Sequence, residues 1–243
     1  MASPVLITPH PAKAAPNPMM ITVSAVLTPD QVHKVTSLAS GLSWRDGATT
    51  AGAVARQVKR NEQADLSGAT GTAVKKLLQE AVEGHPVLQA AAQPRRFSPL
   101  MISRASKGGG YGRHVDNAFM GKGDRRLRTD LSFTLFLSDP STYEGGELAV
   151  ETAAGEHLVK PDAGDLVLYP STTLHEVRPV TSGERVVCVG WIESAVRDAA
   201  AREILFDLEN LRATLGQTHD AQSPEMLTLA KTISNLLRLW GDA

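Results

Sequence analysis

The stretch GRHVDNAFM, residues 112–120, places His114 and Asp116 one residue apart. In extended backbone, residues i and i+2 project to the same side. An imidazole nitrogen and a carboxylate oxygen on one side offer a divalent ion two points of attachment. A pair of this kind arises by chance in many chains, so a metal site needs a third ligand from elsewhere.

His175, in STTLHEVRPV, is the candidate third ligand. It lies in a β-like run well after His114, with room for several strands between them. Two histidines and one carboxylate on one face, with coordination positions left open, form the donor set of non-haem Fe(II) oxygenases. Zinc accepts the same donors, so ligand type leaves both metals open. His10 falls in the N-terminal tail, His33 in a predicted helix, His85 just past another and His219 in a loop. His157 follows a turn and is the weaker alternative. Asn117 and Arg113 are candidates to orient the imidazoles, although both also read as turn and surface residues.

Arg185 distinguishes an oxygenase from a generic metal site. It opens the otherwise apolar run RVVCVGWIE. Burying a guanidinium there is costly without an anion, and its planar fork suits a carboxylate held bidentately. An open metal site and a buried arginine together fit a dicarboxylate 2-oxo acid. Its keto-acid end would chelate the metal and its far carboxylate would meet Arg185. An arginine at a wet sheet edge is the alternative.

These side chains need a scaffold of short strands. From about residue 97 to 194, runs such as FSPLMIS, DLSFTLFLS, GDLVLYP and RVVCVGWIE alternate with turn signals such as KPDAG, the pattern of an all-β sandwich or barrel. Tyr143, Glu144, Gly145 and Gly146 of YEGGEL read as a turn entering a strand. Met101 and Cys188 read as core residues. Upstream, Thr28, Pro29 and Gln31 carry a capping box with proline at the first helical position, followed by the stripe Val32, Val35, Leu38 and Leu42. A second helix is predicted over roughly 73–83, closed by Gly84 and Pro86. Downstream, Ile204, Leu205, Leu208, Leu211 and Leu215 predict one helix, and Met226, Leu229, Ile233, Leu236, Leu237 and Trp240 predict another. The expected division is a Pro-rich tail at 1–19, a helical region at 20–95 packing on the core, a β domain at 96–194 and a helical extension at 195–243.

Composition narrows the function classes. The chain has 243 residues, 42% hydrophobic and 21% charged, enough for a sizeable core. Net charge is −1 with the signs interspersed, so no basic stripe points to nucleic acid or an anionic membrane. No apolar run approaches the roughly 20 residues of a membrane helix. The single cysteine, Cys188, leaves no disulfide framework and no Cys-based zinc site, which fits a reducing, cytoplasmic setting. The first eighteen residues carry five prolines, expected to form a disordered tail ahead of Met19 or Met20. They lack the charged start and apolar length of a signal peptide.

With these residues in view, the chain resembles a 2-oxoglutarate- and Fe(II)-dependent dioxygenase of the prolyl/lysyl hydroxylase-like type. In particular it is similar to the bacterial PKHD-type hydroxylases often associated with iron-uptake loci. The likeness runs from about Met20 to the C-terminus through VLTPDQV, GRHVDNA, RTDLSFTLFLSDPSTYEGGELAVE, AGDLVLYPSTTLHEVRPVTSGERV and WIESAVRD. It implies an α+β fold: a double-stranded β-helix (jelly roll) core with N-terminal helices packed on it and a C-terminal helical pair. It assigns His114, Asp116 and His175 to iron and Arg185 to the 2-oxoglutarate carboxylate, and it makes Trp191 a wall of the cofactor pocket. A tyrosine that helps hold 2-oxoglutarate in animal-type relatives is replaced here by Arg104, with Tyr111 as the substitute. The implied activity is hydroxylation of a C–H bond with release of succinate and CO2. Its implied partners are O2, L-ascorbate as reductant, and an unidentified peptide or small-molecule substrate. The C-terminal helices are a candidate contact between copies of the chain. Rival readings are a cupin-like metal-binding jelly roll without turnover, a zinc hydrolase, for which no general base stands out, and an iron, O2 and 2-oxoglutarate sensor.

Overall fold

A computed structural model describes residues 20–50 and 55–242, so the expected tail at 1–19 lies outside the described residues. In chain order the elements begin with β1 (Ile21–Val23), α1 (Pro29–Ser40), β2 (Trp44–Asp46), β3 (Lys59–Arg60), β4 (Glu62–Ala64), α2 (Ala69–Glu83) and α3 (Pro86–Ala92). The strand-rich part holds β5 (Pro94–Phe97), β6 (Met101–Ala105), β7 (Gly110–His114), β8 (Phe119–Met120), β9 (Leu127–Arg128), β10 (Leu131–Phe136), β11 (Glu144–Gly145) and β12 (Leu148–Thr152). It continues through β13 (Gly155–Val159), β14 (Leu166–Pro170), β15 (His175–Val177), β16 (Val180–Ser182) and β17 (Arg185–Ser194), followed by α4 (Ala199–Leu215) and α5 (Pro224–Trp240).

Local chemistry accounts for the helix starts. Thr28 and Gln31 complete both halves of the capping box, at 3.3 and 2.8 Å. Helix α2 starts at Ala69, earlier than its apolar stripe implies, and Gly71 in its first turn packs directly on Leu66, where a Cβ would come within 2.4 Å of the backbone. Pro86 ends nothing. It opens α3, since a residue without an N–H suits the first helical position.

Two antiparallel sheets face each other. The larger runs β1-β14-β10-β17-β6-β4-β2, with β5 also on β17, and the smaller runs β13-β12-β15-β7-β3. Strand β10 is buried along its whole length because it is covered on both sides. Its Leu131, Phe133 and Leu135 pack outward with Val35, Val74, Leu78 and Leu88 of the N-terminal helices. Its Phe136 turns inward to a second core with Leu148, Val150, Val167, Tyr169 and Val187. The C-terminal pair has its own small core of Val196, Ala201, Leu205 and Ile233, while Ile204 and Leu211 of the predicted stripe face outward.

The segment 59–64 shows no helical stripe, and it ties the two sheets together. Strand β3 pairs with β7 of the smaller sheet, and β4 pairs with β6 of the larger. Across the larger sheet, Gly190 of β17 sits opposite Phe133 of β10. A Cβ at Gly190 would lie 2.5 Å from the Phe133 ring and 3.2 Å from Leu100. Gly190→Ala is therefore expected to cost about 1–3 kcal/mol, read as a lowered denaturation midpoint with unchanged m-value.

Candidate metal centre

Strands β7 and β15 pair in antiparallel register with His114 directly opposite His175, which is how two residues distant in sequence come to share one face. Their ring centroids are 4.3 Å apart. Asp116 lies just past the end of β7, one residue beyond exposed Val115. One donor atom from each of His114, Asp116 and His175 lies within 4.8 Å of the others, the one such group of three among the described residues. His157 stands exposed on β13, outside it.

Both imidazoles are held so that the same nitrogen faces the centre. His114 Nδ1 lies 2.8 Å from the Gly112 carbonyl and His175 Nδ1 3.1 Å from the Thr173 carbonyl. A carbonyl can only accept, so each Nδ1 carries the proton and each Nε2 presents a lone pair. Burial, then the neighbouring His175, push His114 down to about 4, which keeps that lone pair available at neutral pH. Sequence reasoning looked to Asn117 and Arg113 for this task. Arg113 instead pairs with Glu151 on the outside, and the Asn117 side chain is exposed. Backbone carbonyls two residues before each histidine do the work, and nothing in side-chain identity signals them.

The carboxylate is fixed as well. Asp116 Oδ2 accepts from Trp191 Nε1 at 2.8 Å and from Ser132 Oγ at 2.6 Å, and Ser132 is 2.7 Å from Ser171 Oγ. With Oδ2 taken by two donors, Oδ1 remains for an ion. Trp191 lines the cavity, and its indole also acts on the carboxylate. Ser132 went unnoticed in the sequence. The available signal was Ser132 and Thr134 alternating with apolar residues in LSFTLF, which puts both on the cavity side. Tyr111 stacks on His114 at 3.5 Å between centroids, and burial pushes its hydroxyl up to about 12.

Alternation along β17 puts Arg185, Val187, Val189 and Trp191 on the cavity wall. Arg185 is 4% exposed, so it is no wet sheet edge. Its Nε and Nη2, and the hydroxyl of buried Tyr143, have no hydrogen-bond partner. Burial works against the guanidinium charge, and Tyr143 and Tyr169 are the main groups offsetting it. YEGGEL is a turn, with Gly145 and Gly146 at φ 70 and 69. It does more than turn: a Cβ on Gly146 would meet both Arg185 and Tyr143 at about 3 Å, so glycine lets the two side chains close over it. Arg104 faces elsewhere, bonded to Glu62 at 2.8 Å and lying over the Trp44 ring at 4.3 Å. Cys188 is buried in the core, whereas Met101 lines the cavity rather than the core. Three accessible metal donors at one point and an unpaired buried cation on the same wall fit Fe(II) and a dicarboxylate 2-oxo acid.

Residues 100–193 match the family model described as the 2OG-Fe(II) oxygenase superfamily. A PKHD-type hydroxylase of Hyphomonas neptunium is 56% identical over 223 residues, covering 92% of this chain and all of the relative. This chain belongs to the PKHD-type hydroxylases. Among solved structures, the hydroxylase shares its fold with a prolyl hydroxylase from Trichoplax adhaerens in complex with a hypoxia inducible factor peptide fragment, with TM-score 0.54, 16% identity, and coverage of 72% of this chain and 85% of that one. It likewise resembles HygX from Streptomyces hygroscopicus with nickel, 2-oxoglutarate and hygromycin B bound, with TM-score 0.52, 16% identity, and coverage of 74% and 85%. These are jelly-roll oxygenase folds, so the α+β expectation with flanking helices holds. Among the described residues, no helix is long and apolar enough to cross a membrane.

In this hydroxylase the two donors on Asp116 give a measurable expectation. Ser132→Ala, which removes one of them, should weaken divalent-metal binding roughly 10–100-fold, and Trp191→Phe should do the same. Metal titration by calorimetry tests this. Unchanged affinity in both variants would make the donors dispensable.

Proposed function

We propose that His114, Asp116 and His175 hold Fe(II) through two Nε2 atoms and Oδ1, and that Arg185, assisted by Tyr143, receives the far carboxylate of 2-oxoglutarate. The observation that carries this reading is Arg185, a buried cation with two nitrogens unpartnered on the wall of the cavity that holds the three metal donors. Fe(II), when bound, supplies activation of O2 coupled to oxidative decarboxylation of 2-oxoglutarate and hydroxylation of a C–H bond, with succinate and CO2 released. The chain's own residues position these partners and exclude water. Gly112 and Thr173 orient the imidazoles, Ser132 and Trp191 hold the carboxylate, and Tyr111 covers one face of His114. The substrate is a peptidyl prolyl or lysyl residue or a small molecule, with a place in iron uptake as one setting. Ascorbate would keep the iron reduced, and a cytoplasmic location fits the lone buried cysteine.

Anaerobic titration of the Fe(II)-loaded protein with 2-oxoglutarate tests the reading through a visible charge-transfer absorption. Its appearance supports the cosubstrate. With iron bound and no such absorption, the protein would be a metal-binding jelly roll without this chemistry.

A further inference from the structure

Two separate hairpins meet at Tyr143. Strand β13 is an edge of the smaller sheet, and residues 155–158 along it are exposed. Only at its end, at Val159 and Lys160, does the chain become half-buried. Val159 packs against the second core beside Phe136 and Leu148. Lys160, the next residue, reaches Tyr143 in two ways. Its Nζ donates to the Tyr143 carbonyl at 2.7 Å and lies 4.0 Å from the centroid of the Tyr143 ring. The segment that carries Tyr143 is also held from behind. Strand β11, just after it, pairs with β16, and a Cβ on Gly183 would come within 2.1 Å of the Thr142 carbonyl. Gly146 brings the ring against Arg185: a Cβ there would lie 3.0 Å from Arg185 Cδ and 3.1 Å from Tyr143 Cε2. Tyr143 is 3% exposed, and its hydroxyl, like two nitrogens of Arg185, has no hydrogen-bond partner. Burial pushes that hydroxyl up, and Arg185 is the main group pulling it back.

We propose that Lys160 is a positioning residue for the cosubstrate pocket. By gripping the carbonyl and the ring of Tyr143, it keeps the Tyr143 hydroxyl beside Arg185, so that hydroxyl and guanidinium receive one carboxylate together. The inference rests on the function proposed above and deepens it. A buried hydroxyl and a buried guanidinium without partners are costly until an anion satisfies both. A hydrogen bond to a charged acceptor is strong only when the donor is aimed at it. A tyrosine side chain has two torsions to fix. Lys160 restrains them from both ends, through a charge-assisted bond to the backbone and an ammonium over the ring face. Lys160 acts through Tyr143 alone, so its effect should vanish when the Tyr143 hydroxyl is gone.

A double-mutant cycle tests this. The affinity of the anaerobic Fe(II)-loaded protein for 2-oxoglutarate is measured by calorimetry in the wild type, Lys160→Met, Tyr143→Phe and the double variant. Tyr143→Phe should weaken binding about tenfold, the loss of one hydrogen bond to a charged group. Lys160→Met should weaken it by about three- to tenfold, and the double variant should bind no worse than Tyr143→Phe alone. Lys160→Arg, which can still donate to the carbonyl and lie over the ring, should bring the affinity back to within about twofold of the wild type. Lys160→Ala repeats the comparison should the Met variant fold poorly. Fe(II) affinity, titrated separately, should not change in any of them. Wild-type affinity in both Lys160→Met and Lys160→Ala overturns the proposal. Additive losses in the double variant also overturn it, since Lys160 would then act without Tyr143. So does a matching loss of Fe(II) affinity, which would mark a general loosening of the fold. A wild type that takes up no 2-oxoglutarate, with the charge-transfer absorption missing, would instead strike the proposed function and this inference with it.

Discussion

Replacing Asp116 with alanine is expected to abolish Fe(II)-dependent succinate formation. Asp116 is the only carboxylate among the three clustered donors, and its Oδ1 is left open by two hydrogen bonds to Oδ2. The loss should exceed the roughly 10–100-fold expected from removing a single supporting hydrogen bond. Alanine also leaves the part-buried Trp191 Nε1 donor without its acceptor, while Ser132 keeps Ser171 Oγ, at a cost of about 1–3 kcal/mol in stability. Asp116→Asn separates the two effects. Its amide oxygen can still accept from Trp191 and Ser132, but its other terminus is an NH2 that offers the ion no lone pair. Asn should therefore keep the melting temperature near wild type while losing metal affinity and turnover as alanine does. Undiminished turnover in either variant would remove Asp116 from the metal centre.

Arg185→Met is expected to move binding and stability in opposite directions. The guanidinium is buried with two unpartnered nitrogens, so the folded protein bears its desolvation without the anion that would offset it. Replacing an imperfectly paired buried charge with an apolar side chain of similar size is commonly neutral or stabilising. The ligand-free variant should melt no lower than the wild type. Its affinity for 2-oxoglutarate should fall by about 2–5 kcal/mol, at least roughly thirtyfold in Kd, because the carboxylate loses its charged partner. Thermal scans without ligand and the anaerobic 2-oxoglutarate titration check the two halves. A variant that binds 2-oxoglutarate as well as the wild type would separate Arg185 from the cosubstrate.

Tyr143, in a stretch read only as a turn, and Lys59, in a segment that carries no motif, both come to line or adjoin the site. Tyr143 reaches Arg185 because paired glycines at positive φ let the turn fold tightly behind it. Lys59 reaches the cavity because a short strand from the N-terminal region adds to the edge of the smaller sheet at β7. Neither placement follows from residue type.

The sequence by itself determined which side chains could form a centre and which way they would point. Metal-donor residue types are distinctive against a β-rich background, so His114, Asp116 and His175 stood out. Arg185 stood out as a cation opening an apolar run, Trp191 came through the family resemblance alone, and capping chemistry marked the start of α1. The tertiary structure alone decided which strands pair and in what register. The β7–β15 alignment sets His114 against His175, and the β10–β17 alignment brings Ser132 level with Trp191, so both reach Asp116. It also decided that Pro86 opens a helix and that residues 59–64 join both sheets. Periodicity states which side of a strand a residue faces, but it carries no information about the partner strand. That choice is made by burial summed over the whole core, where a slip of one residue would turn Arg185, Val187, Val189 and Trp191 together from the cavity to the opposite face.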